Sequence, residues 1–401
     1  AITAVKQAPD AKFLLFTGDF VETGTEQNSE WEWEQWFEVS MKPLLSRMAL
    51  APTDGNHDDT PNLNYTYHFN TDKTFNETAT VKPQFDGITY SFVYGDALFM
   101  VYSHQDFWRG SYSYANGTST YLSNDVANWF RDQVEKYPDT KWRIAAVHKN
   151  LFTGSGHQTD EDGALFRATL LPVFQELNID FVIQGHDHIY EVMGPINNTT
   201  KTIVPGSVTN VELVSPDSNK NPKGQQGGTF NVKDGTLYFV NGTCGRKRYY
   251  PYTQDEMEAG FDKHKVEGYW DLFTGKYGQP GAPAFSEISV SSSEIEVNTY
   301  TSDANAQATL FDTFKIVKSG NTGIEENKQS AKLYPTYAKD KINTTESDII
   351  QVNAIDLTGK IYTLPFDNQH IDVSNLTDGI YVVQIFTNEK TRSERIVKTS
   401  R

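Results

Sequence analysis

The sequence Gly185-His186-Asp187-His188, directly after the apolar stretch 179–183, most strongly constrains how this chain folds. Two histidines one residue apart cannot share one face of a helix. On an extended or sharply turned segment, however, their rings can point towards two neighbouring metal ions. Short histidine motifs also occur by chance. The interpretation therefore depends on whether other potential ligands follow other predicted strands.

Three further predicted strands end in residues that can bind metal ions. The strands are predicted at residues 12–17, 48–51 and 143–147. The residues at their ends are Asp19, Asn56, His57 and His148. Ligands of open α/β sheets bind outside the carboxyl ends of the strands, so we expect these residues to converge on one edge. Carboxylate, amide and imidazole ligands suit zinc, manganese or iron, and a carboxylate can bridge two ions.

The remaining pattern predicts an α/β domain. Helices are expected at 30–47, with a kink at Pro43, at 165–177, and from a cap at Ser123 or Asn124 to Tyr137. A β-hairpin is expected over 88–102, and residues 60–87 are expected to form an elaborated loop. Four more strands are expected, at 236–240, 287–290, 295–300 and 311–317.

Three motifs occur in the order typical of one enzyme family. They are Gly18-Asp19-Phe20-Val21-Glu22-Thr23-Gly24, Gly55-Asn56-His57-Asp58 and Gly185-His186-Asp187-His188-Ile189-Tyr190-Glu191. Together they resemble the calcineurin-like metallophosphoesterases, in the purple-acid-phosphatase-like branch, over residues 1–317. The resemblance implies a four-layer α/β/β/α sandwich.

The resemblance also implies a role for each candidate site residue. Asp19 would bridge two divalent or trivalent metal ions, of iron, zinc or manganese. Asn56, His148 and His186 would complete the second ion's ligands, and His188 would bind the first. The residues implied in catalysis are His57, facing the transferred phosphoryl group, Asp58, orienting the His57 ring, and His157, contacting the substrate.

The sequence departs from the family pattern in three places. Glu22 replaces a tyrosine, so tyrosinate ligation of iron(III) is not expected. Lys149-Asn150 replaces the usual x-Pro after His148, which alters the loop more than the ligand. The family's first motif, Asp followed two residues later by His or Gln, is expected upstream of Ala1 together with its strand. We therefore expect this chain to bind one ion well and the other poorly, and to hydrolyse phosphate esters weakly.

The C-terminal residues 332–401 have a different character. Short strands are predicted at 349–356, 360–364, 380–386 and 395–398, with turns at Thr358-Gly359 and Asp378-Gly379, as in a small Ig-like β-sandwich. The order of these segments resembles the sorting domains of the bacterial type IX secretion system. The resemblance implies a bacterial protein that is secreted or attached to the cell surface, with the secretion machinery as partner. Residues 318–331 are expected to be a linker.

Charge and composition exclude some classes of protein. The net charge is −17, and residues 332–401 contain nine basic and nine acidic residues, so the excess of acid lies in 1–331. This argues against nucleic acid as a partner. No apolar run is long enough for a transmembrane segment. Cys244 is the only cysteine, which excludes an intrachain disulfide, and it is predicted to be a small buried side chain.

The favoured function is hydrolysis of small-molecule phosphate monoesters by metal-activated water, as in an acid phosphatase. One alternative is a phosphodiesterase or nucleotidase using the same site, with a different substrate pocket. Another is a surface binding protein that retains the fold and has lost catalysis. The intact set of ligand-type residues argues against this last alternative.

Overall fold

The computed structural model contains two compact units, residues 1–320 and 321–401. The structure describes residues 1–24, 26, 28–58, 64–71, 87–103, 120–204, 208–209, 228–259, 269–273, 276–318, 337–344, 348–356, 358–367, 370–387 and 391–400. Most of the expected loop 60–87 and most of the expected linker 318–331 therefore lie outside the described residues.

The helices of the first unit, with their bounds, are α1 (Ile2–Gln7), α2 (Glu30–Glu34), α3 (Lys42–Leu45), α4 (Asn64–His68), α5 (Thr120–Lys136), α6 (Glu161–Glu176) and α7 (Gln254–Ala259). A π-helical segment, Gln35–Met41, joins α2 to α3, and the change from π to α geometry falls beside Pro43, where a kink was predicted. A short 3-10 helix covers Tyr269–Leu272.

The strands of the first unit are β1 (Phe13–Phe16), β2 (Ala49–Pro52), β3 (Tyr90–Tyr94), β4 (Ala97–Val101), β5 (Trp142–Ala146), β6 (Phe181–Gln184), β7 (Tyr190–Asn197), β8 (Thr202–Ile203), β9 (Val208–Thr209), β10 (Thr229–Asn231), β11 (Thr236–Asn241), β12 (Lys276–Gly278), β13 (Ala284–Val290), β14 (Glu294–Ser302) and β15 (Ala308–Val317). All the strands predicted in this unit are present, with ends shifted by at most three residues. The predicted hairpin is β3 and β4, which pair antiparallel.

An eight-stranded mixed sheet forms the centre of the unit, in the order β12-β7-β11-β6-β5-β4-β3, with β8 paired to β7. Strands β4, β5, β6 and β11 are parallel. All four residues of β6 are buried. Val182 faces one apolar core, while Phe181 and Ile183 face another. Burial on both faces explains why this strand has a continuous apolar sequence.

Helices cover one face of this sheet. Large apolar side chains fill the interface between them, among them Trp33, Trp129, Phe130, Phe166 and Phe174. Burial of aromatic side chains of this size is a principal stabilising contribution to the unit.

A five-stranded sheet, in the order β13-β14-β15-β10-β9, packs against the other face. In β14, Ile295, Val297 and Thr299 are buried and their neighbours are partly exposed. This alternation is typical of a strand with one face on a core and the other towards solvent. The helices, the eight-stranded sheet and the five-stranded sheet are three successive layers, in the α/β/β order of the four-layer α/β/β/α sandwich that the sequence resemblance implies.

Strands β1 and β2 form a separate parallel pair, in which Phe13 lies opposite Ala49. Phe13 packs edge-on against Phe92 and Phe99, so the pair stands on the hairpin side of the large sheet. The carbonyl oxygen of Thr17, just after β1, accepts a hydrogen bond from His148 Nδ1, which joins the end of β1 to the end of β5.

Two helix starts were predicted too late. Helix α5 begins at Thr120 rather than after a cap at Ser123 or Asn124, and α6 begins at Glu161 rather than at residue 165. Helix α6 begins with the polar residues Glu161 and Asp162, ahead of Leu165, from which the prediction started, and α5 extends three residues before Ser123. The expected loop 60–87 contains the short helix α4.

The second unit is all β. Its strands are β16 (Tyr337–Ala338), β17 (Lys341–Asn343), β18 (Ile349–Asp356), β19 (Ile361–Thr363), β20 (His370–Asp372), β21 (Gly379–Thr387) and β22 (Thr391–Lys398). They form a five-stranded sheet, β16-β22-β21-β18-β19, and a pair, β17-β20, around one apolar core. The predicted turn at Thr358-Gly359 joins β18 to β19, with Gly359 at φ 86°, a value that favours glycine.

Lys318 contradicts its assignment to the linker. Its ammonium lies 2.7 Å from the carboxylate of Asp180 and 5.0 Å from the centre of the Trp142 ring. Lys318 therefore belongs to the first unit.

Within the described part of the chain, no helix combines the length and apolar character needed to cross a bilayer.

Candidate metal centre

The loop after β1 presents Asp19 in a conformation that few residues adopt. Gly18 has φ 90° and Asp19 has φ 56°, both in the left-handed region. A Cβ atom on Gly18 would lie 2.6 Å from His148 Nδ1, so only glycine allows the loop to approach this histidine. Gly55 is needed for the same reason, because its Cβ would lie 2.2 Å from Asp19 Oδ1. The two glycines bring the ends of β1 and β2 into direct contact.

Asp58 holds these two loops together. Its Oδ2 accepts hydrogen bonds from the amides of Asp19 at 2.8 Å and Gly55 at 2.7 Å, and its Oδ1 accepts one from Phe20 at 2.7 Å. The side chain is fully buried. Burial and the neighbouring Asp19 carboxylate raise the pKa of Asp58, while the amide hydrogen bonds favour its ionised form.

The His57 ring does not have the partner that was expected. Asp58 was predicted to orient it, but His57 Nδ1 instead lies 2.8 Å from the carbonyl oxygen of Glu22. The backbone amide of His57 donates to Asp19 Oδ1 at 3.1 Å. The Asp58 carboxylate is already occupied by backbone amides, which explains the difference. Glu22, at the position of the family tyrosine, is exposed.

His148 is buried and its ring is oriented by the backbone. Its Nδ1 donates to the Thr17 carbonyl oxygen at 2.6 Å, and Nε2 faces the cluster. That nitrogen lies 3.2 Å from Asp19 Oδ2 and 3.1 Å from Asn56 Oδ1. A backbone carbonyl that binds the far nitrogen of a histidine is the usual support of a metal ligand.

Three predicted ligands lie within binding distance of one ion. The ligand atoms of Asp19, His148 and His186 are all within 4.8 Å of one another. Asn56 reaches the same place through its contact with His148. His186, directly after β6, has φ 64°, so the sharp turn expected of its motif is present.

The electrostatics of the cluster favour an anionic aspartate. Burial opposes ionisation, but the nearby His148 lowers the pKa of Asp19 far below its usual value. Burial disfavours the charged imidazole, yet Asp19 raises the pKa of His148 above its usual range. A carboxylate, an amide oxygen and two imidazoles are the donors that zinc, manganese or iron accept, so these residues fit such an ion.

His188 is supported separately. Its Nδ1 donates to the carbonyl oxygen of Lys247 at 3.0 Å, and its ring stacks on Tyr249 with centroids 4.7 Å apart. Burial lowers the pKa of His188, which favours the neutral ring that a metal ion requires. Among the described residues, two groups of three side chains have ligand atoms close enough together to hold a metal ion, and His188 belongs to neither group.

His157 lies at the edge of the cluster, as its predicted role requires. Its ring centroid is 3.8 Å from that of His186, and its Nδ1 is 2.8 Å from Asp160 Oδ2. Burial acts against protonation, but the hydrogen bond with Asp160 raises the pKa of His157. Asp160 was not identified from the sequence. The sequence does show an acidic residue three positions after the candidate His157, and this spacing could have indicated the contact.

A pair of buried acids supports the loop that carries His157. The Thr153 hydroxyl donates to Asp187, and the Gly154 amide donates to Glu191 at 2.9 Å. Burial raises the pKa of Asp187 to about 6, and burial together with Asp187 raises that of Glu191. Both acids belong to the third motif, but sequence analysis gave them no role.

The fold and the clustered strand-end ligands define a metallophosphoesterase domain. Comparison with known families agrees: residues 1–190 match the model of the calcineurin-like phosphoesterases, and residues 332–399 match that of the secretion system C-terminal sorting domain. Residues 1–190 are thus similar to the calcineurin-like phosphoesterases, and residues 332–399 are similar to the sorting domains. Both predicted resemblances are confirmed, and the phosphoesterase family implies divalent metal ions.

Individual relatives are distant. Two uncharacterized proteins of Mycobacterium tuberculosis are each 25% identical over 206 residues, 48% of this chain and 37% of their own length. Purple acid phosphatase 5 of Arabidopsis thaliana is 31% identical over 87 residues, 21% of this chain and 22% of its own. The chain therefore spans well under half of these curated relatives. Among solved structures, purple acid phosphatase PPD1 from yellow lupin (Lupinus luteus) seeds has a TM-score of 0.46 at 13% identity, covering 79% of this chain and 48% of its own.

Proposed function

We propose that the first unit hydrolyses phosphate esters, monoesters above all, at a dinuclear metal centre. The observation that carries the proposal is the group of Asp19, His148 and His186, whose ligand atoms lie within 4.8 Å of one another at the ends of three strands. Asn56 would complete the ligands of the same ion. Asp19 and His188 would contribute to the other.

Ions of iron, zinc or manganese held there would polarise the phosphoryl oxygens and lower the pKa of a bound water, so that hydroxide is available near neutral pH. The protein must hold the ligands in place beforehand. The Thr17 carbonyl does this for His148, and the Lys247 carbonyl does it for His188. The Asp58 hydrogen bonds fix the backbone that carries Asp19.

Two histidines are placed to act on the substrate. The His57 ring is held through Nδ1 by the Glu22 carbonyl, and in the protonated ring Nε2 can donate to a phosphoryl oxygen. His157 is held through Nδ1 by Asp160 in the same manner. A protonated His157 can give its Nε2 proton to the leaving oxygen as the ester bond breaks. In this scheme Asp58 is a positioning residue, because its carboxylate contacts only backbone amides among the described residues.

We further propose that the sorting domain directs export through the type IX secretion machinery, which would place the enzyme outside a bacterial cell or on its surface. The family match of residues 332–399 supports this proposal. A substrate encountered there would be a small phosphate ester.

Metal analysis combined with a phosphatase assay tests the function. We expect the protein to contain bound metal and to hydrolyse p-nitrophenyl phosphate faster than bis(p-nitrophenyl) phosphate. His186→Ala should lose metal and activity together. The matched control is His370→Ala, which changes an exposed histidine of the second unit. If metal-replete protein hydrolyses neither ester, the surface binding protein becomes the favoured alternative. If it hydrolyses the diester faster, the proposed function changes from a phosphomonoesterase to a phosphodiesterase.

A further inference from the structure

A segment of three consecutive basic residues, Arg246, Lys247 and Arg248, lies beside the candidate metal centre. The backbone of this segment is fixed to His188 itself, because the Lys247 carbonyl accepts the hydrogen bond from His188 Nδ1. Gln279 Nε2 donates to the carbonyl oxygens of both His188, at 2.7 Å, and Tyr249, at 2.8 Å. The basic segment therefore has a defined position next to a predicted metal ligand.

The side chains of this segment are available to a ligand. Arg246 and Lys247 are exposed and Arg248 is half-buried. Within the described ranges, no carboxylate lies within 4 Å of any of the three charged groups, whereas the nearby Lys149 is paired with Asp162. Arg248 donates through Nη1 to the Arg246 carbonyl oxygen at 2.9 Å, while its Nε atom is buried and has no hydrogen-bond partner among the described residues.

The ammonium of Lys247 lies close to residues of the site. A hydrogen bond with the Tyr249 side chain raises the pKa of Lys247 above its usual value, burial acts against this rise, and the Glu22 and Asp19 carboxylates of the loop after β1 add to it. The ammonium of Lys247 lies 5.4 Å from the centre of the Tyr249 ring, the same ring that stacks on His188. In a protein of net charge −17, such a local concentration of positive charge has a specific effect on an anionic substrate.

We propose that Arg246, Lys247 and Arg248 bind a second phosphate group of the substrate, linked directly to the one that is transferred. The preferred substrate is then a phosphoric anhydride such as a nucleoside diphosphate. Guanidinium groups bind phosphate oxygens in pairs, and a lysine adds a point charge. The inference rests on the proposed function and adds the substrate class to it.

The reaction on such a substrate is balanced by water alone. The water oxygen forms a bond to the terminal phosphorus, and the bond from that phosphorus to the bridging oxygen breaks, with its electron pair remaining on the bridging oxygen. The products are orthophosphate and the shortened phosphate, with water's protons distributed between these products and solvent. The basic segment faces the leaving phosphate, on which negative charge increases as the bond breaks.

A matched pair of substrates tests the proposal, namely adenosine diphosphate and adenosine monophosphate, with phosphate release as the readout. For the wild-type full chain we expect kcat/KM to favour the diphosphate by about tenfold or more. The double variant Arg246→Gln/Arg248→Gln leaves Lys247, whose backbone carbonyl supports His188, unchanged. It should bring the two substrates to within about threefold, mainly through a higher KM for the diphosphate, with the monophosphate little changed.

Two further variants separate charge from structure. The exchange Arg246→Lys/Lys247→Arg should retain the preference, and Lys233→Gln, which changes an exposed lysine before the start of β11, should leave both substrates unaffected. An unchanged ratio in the double variant, or an equal loss on both substrates, overturns the inference and leaves the proposed function standing. Wild-type protein that hydrolyses neither substrate overturns both.

Discussion

His57 illustrates, at the scale of a residue, how the structure separates ligands from groups that act on the substrate. Its ring is held through Nδ1 by the Glu22 carbonyl, while Asn56, one residue earlier, points its Oδ1 at His148 Nε2. These two adjacent residues therefore have different proposed roles, Asn56 as a metal ligand and His57 as a group that acts on the substrate. The Glu22 carbonyl that orients His57 is a backbone group, which no side-chain pattern could have identified.

His57→Ala should lower turnover far more than metal content. A positioned proton donor or charge-stabilising histidine contributes about 100-fold or more to the rate, while the proposed ligand set is left intact. Metal analysis and kcat for p-nitrophenyl phosphate measure the two effects. Asn56→Ala is the paired variant and should lose metal and activity together. Full turnover in metal-replete His57→Ala protein would remove this histidine from the mechanism.

Asp160→Asn should shift the pH profile of the enzyme. Asp160 raises the pKa of His157, so its neutralisation lowers that pKa. The protonated ring is then lost at a lower pH, and the fall of kcat on the alkaline side should move to lower pH. The control is Asp139→Asn, which neutralises an exposed acid of the same unit. A profile that does not move would show that His157 is not the proton donor.

At the scale of elements, strands were predicted better than loops. The apolar runs before Asp19, His148 and His186 indicated β1, β5 and β6, because burial on both faces of a sheet requires a continuous apolar sequence. The contacts between loops could not be predicted in this way. Lys247, which supports His188, lies 59 residues further along the chain, and its contribution is a backbone carbonyl. The exposed position of Cys244, predicted to be buried, depends on the same loop.

Asp58→Asn should loosen the junction of the β1 and β2 loops. The amide nitrogen of asparagine would replace one carboxylate oxygen, so either the Asp19 and Gly55 amides or the Phe20 amide would lose an acceptor. Each buried donor left without a partner costs about 1–3 kcal/mol. Loss of a group that positions a metal ligand typically lowers metal affinity by about 10- to 100-fold.

Thermal unfolding and metal titration of the Asp58→Asn protein measure these two effects, with Asp139→Asn as the exposed control. A variant with normal stability and normal metal affinity would show that the Asp58 hydrogen bonds are not what holds the junction together.

At the scale of the whole molecule, the two compact units imply separable tasks. The first unit contains all the candidate site residues, and the sorting-domain match lies entirely in the second. A chain that ends at Gly320 should therefore keep its metal affinity and phosphatase activity. The same truncation should abolish appearance of the protein at the cell surface, as measured by cell fractionation. Loss of activity from a folded first unit would show that the second unit contributes to catalysis.

The first unit should need Lys318 for its stability above neutral pH. Asp180 is 1% exposed, and burial raises its pKa to about 6 even with the Lys318 ammonium 2.7 Å away. A raised carboxyl pKa means that the folded state binds the proton more tightly than the unfolded state. The tighter proton binding by Asp180 stabilises the folded state at low pH, and this stabilisation is lost as pH rises through about 6.

Lys318→Met removes the ammonium that compensates the ionised Asp180 carboxylate, so the effect of the variant should appear at pH values where Asp180 is ionised. We expect a loss of about 2 kcal/mol at pH 8 and much less at pH 5, after allowance for the partial exposure of the lysine. Urea denaturation of the chain ending at Gly320, at both pH values, measures the difference, and Lys318→Arg should retain most of the stability. An equal loss at both pH values would show that Lys318 acts by packing on Trp142 rather than by its charge.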